Sequence, residues 1–278
     1  MNIDFDKQRK FIQIDGSNLA YLDIGVGPVV ILGHSYLWSA EMWEPQIIAL
    51  SKHYRVIVPE LWGHGKSGIL PDTTFNLQQI ARQNFELLEY LNIKKFAIAG
   101  LSVGGMWAIE LALLVPERVS GLILLGTFVG SEPSLTQQRY FSMLDAVKLT
   151  GSVPDAIIHA MIPMFFSSKT PMHHPNLVKN FHESLRSIKT PNLLESIIPL
   201  GRMIFTRRNA LPDLQKLSIP SIVITGTEDQ SRPPIEGKLM AEHLNCQFIE
   251  LKDTGHISSL ESPNEITELM LSFFAKIF

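Results

Sequence analysis

Short apolar runs rich in valine, isoleucine and leucine alternate with longer segments of helical periodicity along most of the 278-residue chain. Runs such as 29–32 are apolar without polar alternation, which is typical of strands buried on both faces. Parallel strands need long crossover connections, which helices supply, so the pattern predicts a mostly parallel sheet with helices on both faces. Eight runs are predicted as strands, the first two as a hairpin: 10–15, 18–25, 28–34, 54–61, 94–102, 119–128, 218–229 and 246–256.

Five further segments have the apolar spacing of α-helices. The last of them begins with Ser262 as a candidate N-cap, followed by Pro263 in the first turn and Glu265 in position to complete a capping box. The predicted helices are 44–53, 76–91, 104–116, 233–245 and 262–278.

The alternation stops in residues 130–209, where helical fragments and scattered prolines occur without a good strand. We therefore predict one α/β core formed by residues 1–129 and 210–278. The intervening stretch, which contains the apolar patch 160–166, is predicted to be a helical cap inserted over the sheet and not an independent domain.

The composition argues against several classes of function. The net charge of −3 gives no electrostatic reason to expect nucleic acid or an anionic membrane as a partner. A single cysteine, Cys246, allows neither an intrachain disulfide nor a cysteine-based metal site, and the adjacent His173 and His174 lack an acidic partner at ligand spacing. No secretory signal, no run of about 18 apolar residues and no nucleotide-binding glycine motif is present. We expect a cytoplasmic protein without metal or cofactor.

The motif Gly100-Leu101-Ser102-Val103-Gly104 joins a predicted strand to a predicted helix. Small flanking residues allow a sharp bend, which lifts the serine clear of the sheet at the positive end of the helix. The motif alone fits two interpretations: a glycine-rich turn with an incidental serine, or a strained turn that presents a nucleophile. The residues that would activate the serine decide between them.

A serine hydroxyl becomes a good nucleophile only when a base accepts its proton and a third group orients that base. His256 follows the last predicted strand and is the candidate base, while Asp229 follows the preceding strand and is the candidate acid. All three residues leave the carboxyl ends of predicted parallel strands, so we expect them at one edge of the sheet. Glu228, the second choice for the acid, and Asp253 are expected to face solvent.

These motifs make the chain resemble the α/β-hydrolase superfamily, in its cap-bearing serine esterase and lactonase branch. The resemblance extends from Val29 to the last helix and rests on the motifs GLSVG, GTED, DTGH and VPELWGHGKS. In the last motif Glu60 stands where the family usually has aspartate, and we interpret this loop as structural support for the active-site edge. The order of serine, aspartate and histidine along the chain is also that of the family.

The resemblance implies an oxyanion hole built from backbone N–H groups. One donor is expected from Val103, the residue after the serine, and the other from the loop after the third strand. The family usually has His-Gly in that loop, whereas this chain has His34-Ser35-Tyr36. Tyr36 is our first choice for the second donor and Ser35 our second, and His34 is expected to support the loop.

A serine at the nucleophile position implies acyl transfer, because relatives with aspartate there open epoxides or displace halide. We expect cleavage of a small, mostly apolar carboxylic ester by water through an acyl-enzyme. A lactonase of the enol-lactone or acyl-homoserine-lactone type, a cofactor-free perhydrolase and a C–C bond hydrolase would use the same triad and stay open. A non-catalytic ligand-binding protein is the alternative of another class. The sequence does not give the oligomeric state.

The substrate pocket is predicted to include Phe128, Met161 and Phe165, with His34 beside them. Methionine and phenylalanine at these positions are equally suited to hold the cap on the core. Two consecutive cations near the end of the cap, at 207 and 208, are expected to be solvated and not to demand a phosphate.

Overall fold

Eight strands form one sheet in the computed structural model, which describes residues 3–278. The strands are β1 (Arg9–Ile14), β2 (Ser17–Ile24), β3 (Val29–Gly33), β4 (Arg55–Pro59), β5 (Phe96–Leu101), β6 (Val119–Leu125), β7 (Ser221–Gly226) and β8 (Gln247–Leu251). Their order is β1-β2-β4-β3-β5-β6-β7-β8. The hairpin β1–β2 and the pair β2–β4 are antiparallel, and all other pairs are parallel. The eight predicted strands and the mostly parallel sheet are confirmed.

Burial of the central strands on both faces explains their unbroken apolar runs. In β3, Val30 and Leu32 pack into one apolar core, whereas Ile31 between them packs into a second core on the other face. All six residues of β5 are buried. The sheet therefore separates two cores, and neither face of these strands tolerates polar side chains.

Helices cover both faces of the sheet. The helices are α1 (Phe5–Gln8), α2 (Glu44–Leu50), α3 (Leu77–Tyr90), α4 (Val103–Leu114), α5 (Ser134–Thr150), α6 (Asp155–Phe165), α7 (Thr170–His173), α8 (Pro175–Ser187), α9 (Ile198–Phe205), α10 (Pro234–Leu244), α11 (Ser258–Glu261) and α12 (Pro263–Ile277). Residues of α3, α4 and α10 enter one core and residues of α2 and α12 enter the other. The five predicted helices are confirmed.

The capping box predicted at the start of α12 is wrong. The hydroxyl of Ser262 forms a hydrogen bond of 2.7 Å with the hydroxyl of Thr254, and it does not cap the helix. A side chain from a neighbouring loop thus competes successfully with the local backbone for the same oxygen.

No helix in the described part of the chain combines the length and the hydropathy needed to cross a membrane. The cytoplasmic location stays a prediction.

Between β6 and β7 the described chain forms helices and loops but no strand. This stretch contains α5 to α9, a π-helical turn at Leu193–Ile197 and a 3₁₀ turn at Leu211–Lys216. Within this stretch, the N–H of Ala210 donates to the carbonyl of Val129 at 2.8 Å. The predicted cap, residues 130–209, lies between these two residues, and its status as a separate part of the domain stays a prediction.

A buried carboxylate joins both ends of this insertion to the core. Oε2 of Glu132, which precedes α5, accepts hydrogen bonds from Arg207 Nη1 at 2.6 Å and from Arg232 Nη2 at 2.7 Å. All three side chains are at most 3% exposed. The prediction that Arg207 is solvated is therefore wrong, while Arg208 is partly exposed and pairs with Glu110.

Removing Glu132 would leave two buried guanidinium groups without their shared counter-charge. We expect Glu132→Ala to lower the free energy of unfolding by about 3–5 kcal/mol, the usual cost of breaking a buried ion pair. Glu183→Ala removes the exposed partner of Lys179 on α8 and serves as the control, with no measurable change expected. Urea unfolding followed by circular dichroism measures both. Equal midpoints for Glu132→Ala and the wild type would contradict a stabilising role for this network.

Candidate active site

Ser102 lies at a sharp turn between β5 and α4. Its φ of 57° falls in the left-handed region that residues with a Cβ rarely adopt. The turn brings α4 so close to β3 that a Cβ on Gly104 would lie 2.1 Å from the carbonyl oxygen of Gly33. Only glycine fits at that position, which accounts for the second glycine of the motif.

The backbone of Ser102 is fixed while its hydroxyl is left available. Its N–H donates to the carbonyl of Leu125 at 2.9 Å, and its own carbonyl accepts from Gly105 N–H at 2.9 Å and from Thr127 Oγ1 at 2.6 Å. Within residues 3–278 the Oγ of Ser102 has no hydrogen-bond partner, and the residue lines a cavity. A fixed backbone and an unengaged hydroxyl are what a nucleophile requires.

Asp229 and His256 form a buried pair at the ends of β7 and β8. Asp229 Oδ2 lies 2.8 Å from His256 Nδ1, and the two side chains are at most 1% exposed. The other carboxylate oxygen accepts the N–H groups of Ser231 and Arg232 at 2.9 and 2.8 Å. Both oxygens of the carboxylate are thus engaged, and the imidazole is oriented with Nε2 on the side away from Asp229.

The insertion holds His256 from the other side. The N–H of His256 donates to the carbonyl of Phe165 at 3.0 Å, and the two rings pack edge to face with centroids 5.4 Å apart. His256 lines the same cavity as Ser102. No direct hydrogen bond joins these two side chains in the described residues.

The two competing carboxylates lie elsewhere. Glu228 Oε2 accepts the N–H of Ser168 at 2.7 Å, and Asp253 pairs with Lys169 at 2.7 Å near the surface. Neither contacts His256, so Asp229 is the acid that the fold brings to the imidazole.

Two of the three backbone N–H groups predicted for the oxyanion hole have no acceptor within residues 3–278. The N–H of Ser35, the second choice for the oxyanion hole, donates to the sulfur of Met42 at 3.2 Å. The N–H groups of Tyr36 and Val103 have no acceptor among residues 3–278, and Tyr36 lines the cavity together with Ser102. The geometry therefore favours Tyr36 over Ser35 as the second donor.

The cavity has a volume of about 90 Å³ and a mostly apolar lining. Of the residues predicted for the substrate pocket, Met161 and Phe165 line this cavity, whereas His34 and Phe128 do not. His34 is fully buried between the Leu61 N–H and a carbonyl of its own loop, and the ring of Phe128 lies under a guanidinium group. His34 and Phe128 thus do not reach this cavity, and the assignment of the substrate pocket stays a prediction.

Sequence reasoning missed most of the cavity lining. The missed residues lie mainly on helices of the insertion, where apolar spacing signals burial without showing which side chains face the site. They include Tyr140, Met143, Leu144, Val147, Ile157, Ile197, Ile204 and Phe205. Arg232 also lines the cavity. Among the described residues it is the only lining side chain that carries a permanent positive charge.

Glu60 supports the loop as expected for this position. The side chain is fully buried and accepts hydrogen bonds from Arg9, from the N–H of Lys66 and from the N–H of Ala40. It does not line the cavity of Ser102. The interpretation of this loop as structural is confirmed.

Two buried histidines adjoin the loop that carries Tyr36. Nε2 of His34 accepts the N–H of Leu61 at 2.9 Å, and Nε2 of His64 accepts the N–H of Leu37 at 3.0 Å. A ring nitrogen that accepts carries no proton, so both imidazoles are neutral. Burial lowers the pKa of both, that of His64 to about 3.

The family of the protein follows from comparison with known proteins. A family model described as the alpha/beta hydrolase fold matches residues 28–263. The chain therefore belongs to the α/β-hydrolase family. It is 26% identical to 3-oxoadipate enol-lactonase 1 of Acinetobacter baylyi over 96% of this chain and 93% of that protein.

Two solved structures extend the comparison. A thermophilic esterase from Thermogutta terrifontis is 28% identical, with a TM-score of 0.87 and coverage of 97% of this chain and 99% of that chain. A meta-cleavage product hydrolase from Pseudomonas fluorescens IP01 is 25% identical, with a TM-score of 0.76 and coverage of 96% and 97%. The chain thus resembles hydrolytic enzymes over nearly its whole length.

The neutral state of His64 makes stability depend on pH. In the folded protein His64 stays neutral down to a pH of about 3, whereas in the unfolded chain it binds a proton below its ordinary pKa of 6.5. Between these two pKa values the unfolded state binds more protons than the folded state, so the free energy of unfolding falls as the pH is lowered. Above pH 6.5 His64 is neutral in both states and contributes nothing to this pH dependence. We expect His64→Gln to reduce this slope near pH 5 by up to about 1.4 kcal/mol per pH unit.

Urea unfolding at several pH values measures this slope. His53→Gln, at an exposed histidine, is the control and should leave the slope unchanged. Equal slopes for His64→Gln and the wild type would mean that His64 already carries a proton in the folded protein.

Proposed function

We propose that the protein is a serine hydrolase with Ser102 as nucleophile, His256 as general base and Asp229 as the group that orients the base. The observation that carries the proposal is the 2.8 Å contact between Asp229 Oδ2 and His256 Nδ1 beside the cavity that Ser102 lines. Because the carboxylate engages Nδ1, the free nitrogen of the imidazole is Nε2, which can accept the serine proton.

In the proposed reaction, Ser102 Oγ attacks the carbonyl carbon of the substrate while its proton passes to His256 Nε2. The carbonyl oxygen becomes an oxyanion, which the N–H groups of Val103 and Tyr36 stabilise. Collapse of this intermediate breaks the bond to the leaving group, which takes the proton from His256. Water then attacks the acyl-enzyme with the same residues acting in the same roles and releases the acid.

The proposed substrate is a small, mostly neutral carboxylic ester. A single water requires about 10–15 Å³ of cavity volume. The cavity that Ser102 lines, of about 90 Å³, therefore holds on the order of six waters or a short acyl chain. The charge of Arg232 at the cavity wall is compensated by Glu132 and Glu236, so the wall does not call for an anionic substrate. The likeness to a thermophilic esterase also supports an ester substrate.

The runner-up is a lactonase, favoured by the likeness to 3-oxoadipate enol-lactonase 1. An ester and a lactone present the same carbonyl to the nucleophile, and in the lactone the leaving group stays attached to the acyl part. C–C bond hydrolysis has support from the likeness to a meta-cleavage product hydrolase, and perhydrolysis stays an alternative. A non-catalytic binding role would not require a serine and a histidine held by an aspartate to line one cavity.

We also propose that residues 130–209 act as a cap. Met161 and Phe165 of α6 and Ile204 of α9 line the cavity, and Phe165 holds the backbone of His256. A cap with these contacts would exclude water from the reacting carbonyl and limit the length of the acyl chain.

An activated serine reacts with a fluorophosphonate, which tests the proposed triad directly. We expect the probe to label Ser102, identified by peptide mass. His256→Ala and Asp229→Asn should slow labelling by about 10²–10⁴-fold, the usual contribution of general-base catalysis. Ser102→Ala should abolish labelling.

Matched controls exist for each residue. Ser259 is fully buried, and its hydroxyl has no partner among residues 3–278. His173 is exposed on α7, and Asp253 is an exposed carboxylate that does not contact His256. Ser259→Ala, His173→Ala and Asp253→Asn should be labelled at the wild-type rate. Labelling that is indifferent to His256→Ala, or absent from the wild type, would refute the serine-hydrolase proposal.

The size of the cavity predicts a limit on acyl length. We expect p-nitrophenyl acetate and butanoate to be cleaved, and Met161→Trp to lower kcat/KM for the octanoate about tenfold more than for the acetate, because added volume overpacks the site. Met172→Trp, at an exposed methionine, is the control. α-Angelica lactone, a small neutral enol-lactone, tests the runner-up in the same assay. A loss that is equal for all chain lengths would contradict the placement of the acyl chain in this cavity.

A further inference from the structure

Three polar side chains at the cavity of Ser102 have no part in the proposed reaction. Tyr140 of α5, together with Ser231 and Arg232 of the loop after β7, lines this otherwise largely apolar cavity. The remaining polar residues of the described wall belong to the proposed triad or to the loop after β3. Tyr140, Ser231 and Arg232 are called the polar patch below.

The backbone of the polar patch is fixed by the carboxylate that also holds the proposed base. The N–H groups of Ser231 and Arg232 donate to Asp229 Oδ1 at 2.9 and 2.8 Å. The other oxygen of Asp229 lies 2.8 Å from His256 Nδ1. The polar patch and the imidazole therefore share one rigid support, as a site that discriminates between substrates requires.

Tyr140 reaches the polar patch from the insertion. Its ring stacks on that of Phe205, with centroids 4.1 Å apart. Burial raises the pKa of Tyr140, whereas the charge of Arg232 and the side chain of Ser231 act to lower it. These opposing effects show that the phenol lies beside both residues of the loop after β7.

The carboxylate partners of Arg232 leave its Nε without an acceptor within residues 3–278. Nη2 donates to Glu132 Oε2 at 2.7 Å, and Nη1 donates to Glu236 Oε2 at 3.4 Å. Nε of Arg232 is not sealed from solvent, in contrast to the unpartnered Nε of Arg207. Because Arg232 lines the cavity, this N–H is accessible from inside it.

The polar patch offers more donors than acceptors. A guanidinium N–H only donates and each hydroxyl carries one proton, so the protons outnumber the hydroxyl oxygens that could accept them. The charge of Arg232 is compensated by two carboxylates, so the patch does not require an anion. A neutral oxygen of a ligand would accept the surplus proton, whereas an alkyl chain would displace water from it and leave it unpaired.

We propose that Tyr140, Ser231 and Arg232 form a specificity subsite that selects esters whose acyl chain carries a neutral oxygen, such as an ether or a carbonyl oxygen. The inference rests on the proposed function, in which the acyl chain occupies this cavity. A cavity of about 90 Å³ holds only a short chain, so this oxygen lies a few bonds from the scissile carbonyl group.

Pairs of p-nitrophenyl esters of equal chain length measure this selectivity. The pairs are methoxyacetate and butanoate, 3-methoxypropanoate and pentanoate, and 4-methoxybutanoate and hexanoate. Within each pair an oxygen replaces one methylene group, at a distance from the scissile carbonyl that increases from pair to pair. The quantity compared between variants is the ratio of kcat/KM for the methoxy ester to kcat/KM for the alkyl ester. The intrinsic reactivity of the two esters is the same for every variant and cancels.

Tyr140→Phe removes the phenol hydroxyl and keeps the ring that stacks on Phe205. We expect it to lower the ratio about 3–10-fold for the pair whose oxygen reaches the subsite, which is the usual contribution of one hydrogen bond. The alkyl ester should be cleaved at least as fast as by the wild type, because one polar group fewer loses its water. Ser231→Ala should change the ratio in the same direction.

Tyr54→Phe is the matched control. Tyr54 and Tyr140 are both 7% exposed, but Tyr54 does not line the cavity of Ser102. The ratios for Tyr54→Phe should equal those of the wild type. Arg232 stays unchanged in all variants because it also holds the buried Glu132, so that its loss would affect stability as well as selectivity.

Ratios for Tyr140→Phe within about twofold of the wild type in every pair would overturn the inference, because a lost hydrogen bond changes the ratio by more. An equal loss of activity on both members of a pair would also overturn it, since Tyr140 would then only pack the cavity. A wild-type protein that neither cleaves esters nor is labelled at Ser102 would refute the proposed function, and this inference would fail with it. A labelled, active wild type with unchanged ratios in Tyr140→Phe refutes the inference alone.

Discussion

The turn at Ser102 is the constraint on which this edge of the sheet depends. A residue with a Cβ at a φ of 57° stays there only when its surroundings fix the backbone from several sides. Here β6 supplies an acceptor at Leu125, and β3 supplies the surface against which Gly104 packs without a side chain. The neighbours of β5 in the sheet thus hold the serine in place, and the order β3-β5-β6 is itself part of the site. Asp229 and His256 continue the same edge, with the insertion holding the histidine backbone through Phe165.

The serine, the aspartate and the histidine could be predicted because each follows a strand of a parallel run, and such strands end at a common edge. The buried network around Glu132 could not be predicted, because Arg207 and Arg232 lie 75 and 100 residues after it in the sequence. Seen locally, two consecutive arginines are typical of a solvated segment.

The positions of His34 and Phe128 outside the cavity of Ser102 have a related cause. A residue near the carboxyl edge of a strand can turn toward the cavity or toward the protein interior, and only the packing of distant segments decides between them. His34 turns inward because a backbone N–H on the next loop, that of Leu61, needs an acceptor. The cap lining escaped prediction for the same reason, since apolar periodicity marks a buried helix face without naming its partner.

The charges around the cavity are almost completely compensated. Arg232 at the wall contacts Glu132 and Glu236, and the imidazoles of His34 and His64 are kept neutral because their Nε2 atoms accept backbone N–H groups. In a region that excludes water, any uncompensated charge would act strongly on the substrate. With these charges balanced, the fixed dipoles that remain near the serine are free N–H groups and the N-terminal end of α4. In the proposed reaction such an environment would add little to the binding of a neutral carbonyl group and would stabilise the negative charge that develops on the carbonyl oxygen during attack.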